Sequence, residues 1–411
     1  MSIKLLFFLS LKNLRRHLRR TTINVLGVGF CVGVIFFFIG YYRGTYIVMM
    51  RESFIKYQSG NIQITSKSFD EKKFQDYVSK ETVISEYKED TLRILQNKEV
   101  SGVSDRLEGF GFFGNGKEKI RVKFVGVVSK EEKKFNVISN AIKEGNFLEE
   151  NGVIVGKKLK DLFGLKLNDM CYLSVQTIYN TPNILVLPLV GVFETGFYDL
   201  DKGVVFLKLE TANSLFDTVN SINKKVIFLR DINMTKDIFE KLKKEFSNKY
   251  QVNSWEYYGQ ALLENEKGDS VFYIIFITIL VFISISMIMS TMYISVFERT
   301  REIGTLRAIG WEKKDVFRLF IFESLWIGII GSVAGLILGG IPTLYLQYFG
   351  IEYSKMTEVI SFPIFKIIAR SELSDVVVAV MVGIISTYFG AFFPARKASK
   401  MVIVDCLRIT G

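Results

Sequence analysis

The sequence predicts a polytopic α-helical membrane protein, with four transmembrane helices and a large α+β extracytoplasmic domain between helices 1 and 2. Three observations predict it. Apolar runs of bilayer-crossing length recur at 21–45, 271–296, 318–346 and 374–393. Residues 46–268 hold no further run of that kind and alternate strand-like with helix-like stretches. Lys and Arg, 53 against 42 Asp and Glu, gather beside the apolar runs, in 1–20, in the connector after residue 298 and in 394–411. Short basic segments stay on the cytoplasmic side, so both termini are expected inside and 46–268 outside. A composition 49% hydrophobic, with 36 Phe, excludes an ordinary soluble protein. The net charge of +11 belongs to topology rather than to nucleic-acid binding, because the basic residues flank the spans.

Residues 1–20 carry Lys4, Lys12, Arg15, Arg16, Arg19 and Arg20 and no acid. Leu5, Phe8, Leu9, Leu11, Leu14 and Leu18 share one broad face, which predicts an amphipathic helix on the inner membrane surface. The first span, 21–45, is longer than the apolar core of a signal peptide and ends Ile39-Gly40-Tyr41-Tyr42-Arg43, without a small-residue cleavage site. In 46–268, strands are predicted at 61–65, 120–127, 172–176, 184–193, 204–207 and 226–229, and helices at 90–96, 158–162, 209–216 and 235–247. The length suits an independent core, divided into two lobes. In the third span Gly331, Gly335 and Gly339 repeat every four residues, and Ala379 and Gly383 do the same in the fourth; such stripes let helices approach closely. Pro342 sits toward the far end of the third span, where a kink is tolerated. An outer loop covers 347–373, and the basic tail 394–411 carries Arg396, Lys397, Lys400 and Arg408.

The connector between the second and third spans, 298–311, is too charged for lipid. Arg299, Arg301 and Arg307 lie in it, with Lys313, Lys314 and Arg318 beyond. Ile303, Leu306 and Ile309 recur at helical spacing, and Gly310 is a stop signal. Glu298 and Glu302, four apart, make an acidic face beside that stripe. For a generic loop this is a solvated turn; the order of the pattern favours a docking helix for a cytoplasmic partner.

The string Glu298-Arg299-Thr300-Arg301-Glu302-Ile303-Gly304-Thr305-Leu306-Arg307-Ala308-Ile309-Gly310 resembles the signature of the FtsX-like permease domain of ABC transporters, a family that includes LolC, LolE and MacB. Phe393-Pro394-Ala395-Arg396-Lys397-Ala398-Ser399-Lys400, with Cys406-Leu407-Arg408, resembles its closing motif. Ser59-Gly60-Asn61-Ile62-Gln63-Ile64, Gly145-Asn146-Phe147, Gly152-Val153-Ile154-Val155-Gly156, Leu189-Val190-Gly191-Val192-Phe193-Glu194 and Trp255-Glu256 resemble LolC and LolE more than MacB. The resemblance implies a permease subunit of a bacterial inner-membrane ABC transporter, with a MacB-like core domain in the periplasm and 269–411 as the FtsX-like permease domain. It implies ATPase coupling through Glu298, Arg299, Arg301, Glu302, Gly304, Arg307, Gly310 and Trp311. The implied partners are an ATPase dimer, a second permease subunit, membrane lipids, a lipoprotein substrate and a periplasmic carrier. MacB-like efflux or FtsX-like mechanotransmission is the alternative, and a membrane-anchored enzyme or receptor the rival from another class. LolC-type permeases also carry a protruding hairpin; at the matching place this chain has the short loop 177–183, which implies weak carrier recruitment.

No catalytic, cofactor or metal residue is predicted. The single histidine is His17, in a basic segment, and Cys31, Cys171 and Cys406 form no CxxC. Gly111-Phe112-Phe113-Gly114-Asn115-Gly116-Lys117 has P-loop spacing, but Glu118 stands where Ser or Thr should hold magnesium and strand-like residues follow, so it reads as a turn between strands. MacB members fuse an ATPase ahead of the first span; none stands ahead of this one, so ATP and Mg are expected on a separate subunit. Glu323 lies inside the third apolar run, where an ionisable group faces protein or water; a structural pairing is favoured over a proton relay.

Overall fold

The computed structural model describes residues 3–16, 18–69, 78–135, 138–352 and 366–408. Among them four helices are long and apolar enough to cross a membrane: Leu18–Ser59, Gln260–Glu298, Lys313–Tyr348 and Leu373–Lys400. Each overruns the apolar stretch that announced it. Hydropathy marks what lipid must cover, whereas the backbone ladder continues until a cap or an interrupting residue ends it. Capping boxes, Glu312 with Asp315 and Glu372 with Asp375, start the third and fourth helices. The fourth continues through Pro394 to Lys400, so 394–400 is helix rather than free tail. The helix Ile3–Arg16 precedes the first span; His17, between them, lies outside the described residues.

Two compact units emerge. The helical unit draws on Met1–Met49, Asn265–Glu352 and Lys366–Gly411. Beyond Tyr42 the first span loosens into the π-helical stretch Arg43–Met50. Arg43 there pairs with Glu372 at 3.1 Å and Asp375 at 2.8 Å, and Thr45 Oγ1 donates to the Ile368 carbonyl at 2.9 Å. Of the predicted outer loop, Ile351–Glu352 pairs with Lys366–Ile367; residues 353–365 lie outside the described residues.

The second unit, Met50–Glu264, is built on a sheet with ten strands among the described residues. They are β1 (Ile62–Ser66), β2 (Val100–Gly114), β3 (Lys119–Val127), β4 (Ile142–Gly145), β5 (Val153–Gly156), β6 (Met170–Gln176), β7 (Pro182–Phe193), β8 (Val204–Lys208), β9 (Lys224–Leu229) and β10 (Tyr250–Ser254). Their order is β10-β1-β9-β2-β3-β8-β5-β7-β4, with β6 bonded to β2 and β7; β3–β8 and β5–β7 are parallel. One sheet runs through the domain. Successive residues feed opposite faces: Val153, Val155, Val205, Leu207 and Ile227 enter one core, Ile154, Val204, Phe206, Val226 and Phe228 the other. Burial on both faces explains the near-continuous apolar runs.

The six predicted strands and four predicted helices all form, within a few residues of their bounds. The long β2 was not foreseen. Its Asp105, Arg106 and Glu108 mimic a solvated segment, yet all three are buried and paired. Lys225 Nζ lies 2.8 Å from Asp105, Arg106 Nη2 2.7 Å from Glu132, and Lys224 Nζ 3.0 Å from Glu108. Burial pushes the Glu108 carboxyl up, but Lys123, Lys224 and Arg106 outweigh it and hold the group well below the usual carboxylate range.

One loop is the expected turn between strands, and a second is shorter than expected. The P-loop look-alike is half strand, with Gly111 to Gly114 in β2, and half hairpin turn, with Gly116 at φ +89°. Asn115 Oδ1 accepts the amides of Lys117 and Glu118, both at 3.0 Å. Amides that would cradle a phosphate are therefore engaged locally. The loop expected at 177–183 shrinks to 177–181, because Pro182 and Asn183 already pair with Gln176 and Val175. Proline lacks a donor and is tolerated at a strand's first position.

Candidate functional site

At the connector the second span ends at Glu298, and Arg299 leaves helical geometry at φ −100°, ψ 15°. A separate helix follows, Thr300–Ala308. Ile309 terminates it, Gly310 turns the chain at φ +103°, and Glu312 caps the third span. The positive φ is the physical reason for glycine at 310.

The predicted apolar stripe is only partly buried. Ile303 is buried and Leu306 half-buried, but Ile309 is 71% exposed, since the helix has ended before it. Nor is the acidic face free. Glu298 pairs with Arg20 at 3.2 Å; Glu302 pairs with Arg299 at 3.0 Å and with Arg16 at 3.0 Å. Arg307 Nη1 donates to the Ser399 carbonyl at 3.0 Å, while Trp311 packs against the helical core. Arg299 and Gly304, expected among the docking residues, are buried inside the unit. Solvent meets Arg301, Thr305, Ala308, Ile309 and Gly310 instead.

Glu323 lies at the centre of the buried side. Arg299 Nη1 reaches its Oε1 at 2.9 Å and Oε2 at 3.0 Å, and Asn13 Nδ2 donates to Oε1 at 2.7 Å. The guanidinium also sits over the Phe320 ring, 5.3 Å from its centroid. Burial alone would lower the Arg299 pKa; Glu323 and Glu302 outweigh it and raise it. This is the structural pairing favoured from the sequence.

The glycine stripe forms a seam with the first span. A Cβ at Gly331 would lie 2.9 Å from Val28 Cβ, and one at Gly335 only 2.6 Å from the Gly29 carbonyl oxygen. Gly339 abuts the backbone of Gly33, while Gly383 faces Ser332 and Val32, and Ala379 is buried. Sequence reasoning missed the partner half of this seam, although Gly29 and Gly33 show the same four-residue spacing. Asn13, Arg16 and Arg20 were missed as partners of the connector; only their place in a basic segment marked them.

Membrane-length helices joined by a clamped, charged connector, with a mixed domain inserted after the first, make a permease-type membrane subunit. Residues 274–403 match the FtsX-like permease C-terminal family. The lipoprotein-releasing system transmembrane protein LolC of Xylella fastidiosa is 22% identical over 300 residues, covering 69% of this chain and 72% of that protein. An uncharacterised ABC transporter permease of Methanocaldococcus jannaschii is 24% identical over 334 residues, 76% of this chain and 77% of the other. The solved periplasmic region of MacB from Actinobacillus actinomycetemcomitans aligns at a TM-score of 0.34 and 11% identity, over 51% of this chain and 96% of that one. Residues 274–403 thus carry an FtsX-like permease domain, and about two thirds or more of the chain is similar to the LolC protein and the ABC transporter permease just named.

Proposed function

We propose that this chain is the membrane subunit through which an ATPase on a separate polypeptide drives movement of the 46–268 domain. ATP and Mg stay on that ATPase. The membrane is a bacterial inner membrane, with the connector and both termini cytoplasmic and the large domain periplasmic, as the basic flanks require. Two permease subunits, alike or different, work with two ATPases. The single observation carrying this reading is the connector helix. One face is locked into the helical unit by Arg299, Ile303 and Gly304, while Arg301, Thr305, Ala308 and Ile309 stay open. A rigid mount with a free face is what a transmitted push needs.

The favoured cargo is a lipoprotein, extracted from the membrane and handed to a periplasmic carrier; the relative named LolC and the LolC/LolE-like patches support it. The 177–181 loop has little reach for capturing a carrier, since extended residues rise only about 3.3 Å each. This subunit therefore takes the LolE-like role beside a partner that bears the hook. Efflux or mechanotransmission is the second reading, favoured by the same short loop.

The test is purification of the full chain from native membranes, with identification of retained proteins and lipidated cargo. Wild type should retain an ATPase, and Arg301→Glu, on the open face, should lose most of it at unchanged expression. Retention by that variant refutes docking at this face. A retained adaptor in place of lipoprotein and carrier points to efflux.

A further inference from the structure

The contacts around Glu323 close into a ring. Asn13 donates to Glu323 at 2.7 Å, Arg299 Nη1 bridges both Glu323 oxygens at 2.9 and 3.0 Å, Arg299 Nε donates to Glu302 Oε2 at 3.0 Å, and Glu302 Oε1 meets Arg16 Nη1 at 3.0 Å. Asn13 and Arg16, three residues apart, lie on one face of the helix Ile3–Arg16, so the ring starts and ends there. It passes through the third span, the elbow after the second span, and the connector helix. Outside the ring, Arg20 pairs with Glu298 and donates to the Thr291 carbonyl.

The N-terminal helix is also packed rather than merely floating on lipid. Leu6, Ser10 and Leu14 are buried, the Phe7 ring lies 4.7 Å from Trp326 at a tilt and 5.7 Å from Phe322 edge-to-face, and Trp326 Nε1 donates to the Phe7 carbonyl at 3.4 Å. Leu5, Phe8 and Leu18 remain exposed, so the broad apolar face expected from the sequence is divided between protein and surroundings. Both Glu323 oxygens accept hydrogen bonds from protein donors, an arrangement that suits a structural pairing.

We infer that Glu323 is a positioning residue that latches the N-terminal helix to the connector, making that helix a second output of connector motion. The inference rests on the coupling reading above. A push on the connector displaces Arg299 and Glu302, and the ring carries that displacement to Asn13 and Arg16. From there the chain leads directly into the first span. Bonds to a buried, charge-compensated carboxylate hold geometry where exposed pairs do not, because their rupture strands a charge away from water. The exposed Arg16–Glu302 contact is the weak link, and Asn13–Glu323 the one that keeps the ring shut.

The experiment uses the full chain co-purified with its ATPase in nanodiscs. Trypsin cleavage after Arg15, Arg16, Arg19 and Arg20 is timed with and without Mg-ATP and vanadate. In wild type the trapped state should change the cleavage rate about threefold or more. Asn13→Leu should abolish that nucleotide response while ATP turnover stays within about a fifth of wild type and the melting temperature within about 4 °C. Asn13→Gln, which keeps an amide donor, should restore it. Glu323→Gln should lose the response and cleave faster in every state. A full response in Asn13→Leu overturns the latch, as does a wild type that turns over ATP without any change in cleavage. A chain that retains no ATPase overturns the coupling reading itself, and the latch with it.

Discussion

Gly335→Ala adds one methyl group at the tightest kind of helix crossing. Its Cβ would stand 2.6 Å from the Gly29 carbonyl oxygen, 2.8 Å from Val32 Cβ and 3.0 Å from the Gly33 nitrogen. Heavy atoms pack at roughly 3.5 Å, so the first and third spans must part by about 0.9 Å at this point. A gap of that size forfeits a quarter to a half of each contact it opens, and backbone carbonyls cannot swing aside as a side chain can. Overpacking of this sort costs about 1–3 kcal/mol, against a gain of about 0.8–1 kcal/mol from replacing a helical glycine. The net expectation is a loss of up to about 2 kcal/mol, centred near about 1 kcal/mol. Gly340→Ala is the control on the same helix, where the nearest atom to a new Cβ is Phe36 Cε1 at 4.0 Å. There the propensity gain stands unopposed. The assay is a thermal scan of the detergent-solubilised chain with a thiol-reactive fluorophore, since Cys31, Cys171 and Cys406 are all free and buried. At roughly 2–4 °C per kcal/mol, Gly335→Ala should melt several degrees below Gly340→Ala. Equal melting temperatures for the two variants would refute the seam.

Charge reversal on the connector should separate roles: Glu302→Lys is expected to keep ATPase binding but lower the ratio of cargo released to ATP hydrolysed, and a normal ratio counts against transmission through Glu302. Glu108→Gln removes the buried carboxylate that Lys224 and Lys123 share and should destabilise the domain by about 3–5 kcal/mol near pH 7. Glu108 has a folded pKa below its unfolded one, so the stability it contributes is complete above about pH 4.3 and lost as pH falls through the folded value. The melting gap between wild type and Glu108→Gln should therefore shrink only in acid well below about pH 4, and a gap that closes near neutrality contradicts the pairing. Replacing 177–181 by Gly and Ser should leave binding of any periplasmic carrier unchanged in the full complex; loss of tight binding would make this short loop the hook.

Four spans, the interposed domain and the connector helix were legible from the chain because each depends on local chemistry. A bilayer-length apolar run, a period of two or of 3.6, a glycine after a helical stripe, and a four-residue glycine spacing are all written within a few dozen residues of one another. Partners were not legible. Gly335 announces a close approach but not Gly29 as the surface approached, since nothing in a single helix says which neighbour it meets. Glu323 announces a costly buried charge, and only the fold brings Arg299 and Asn13 to it from 24 and 310 residues away. β2 shows the limit most plainly. Nothing near Asp105, Arg106 and Glu108 in the chain announces that Lys225, Glu132 and Lys224 will compensate them. Local sequence determines which elements form and which groups need a partner; the tertiary structure decides who the partner is, because compensation of a buried charge or a missing side chain acts through space.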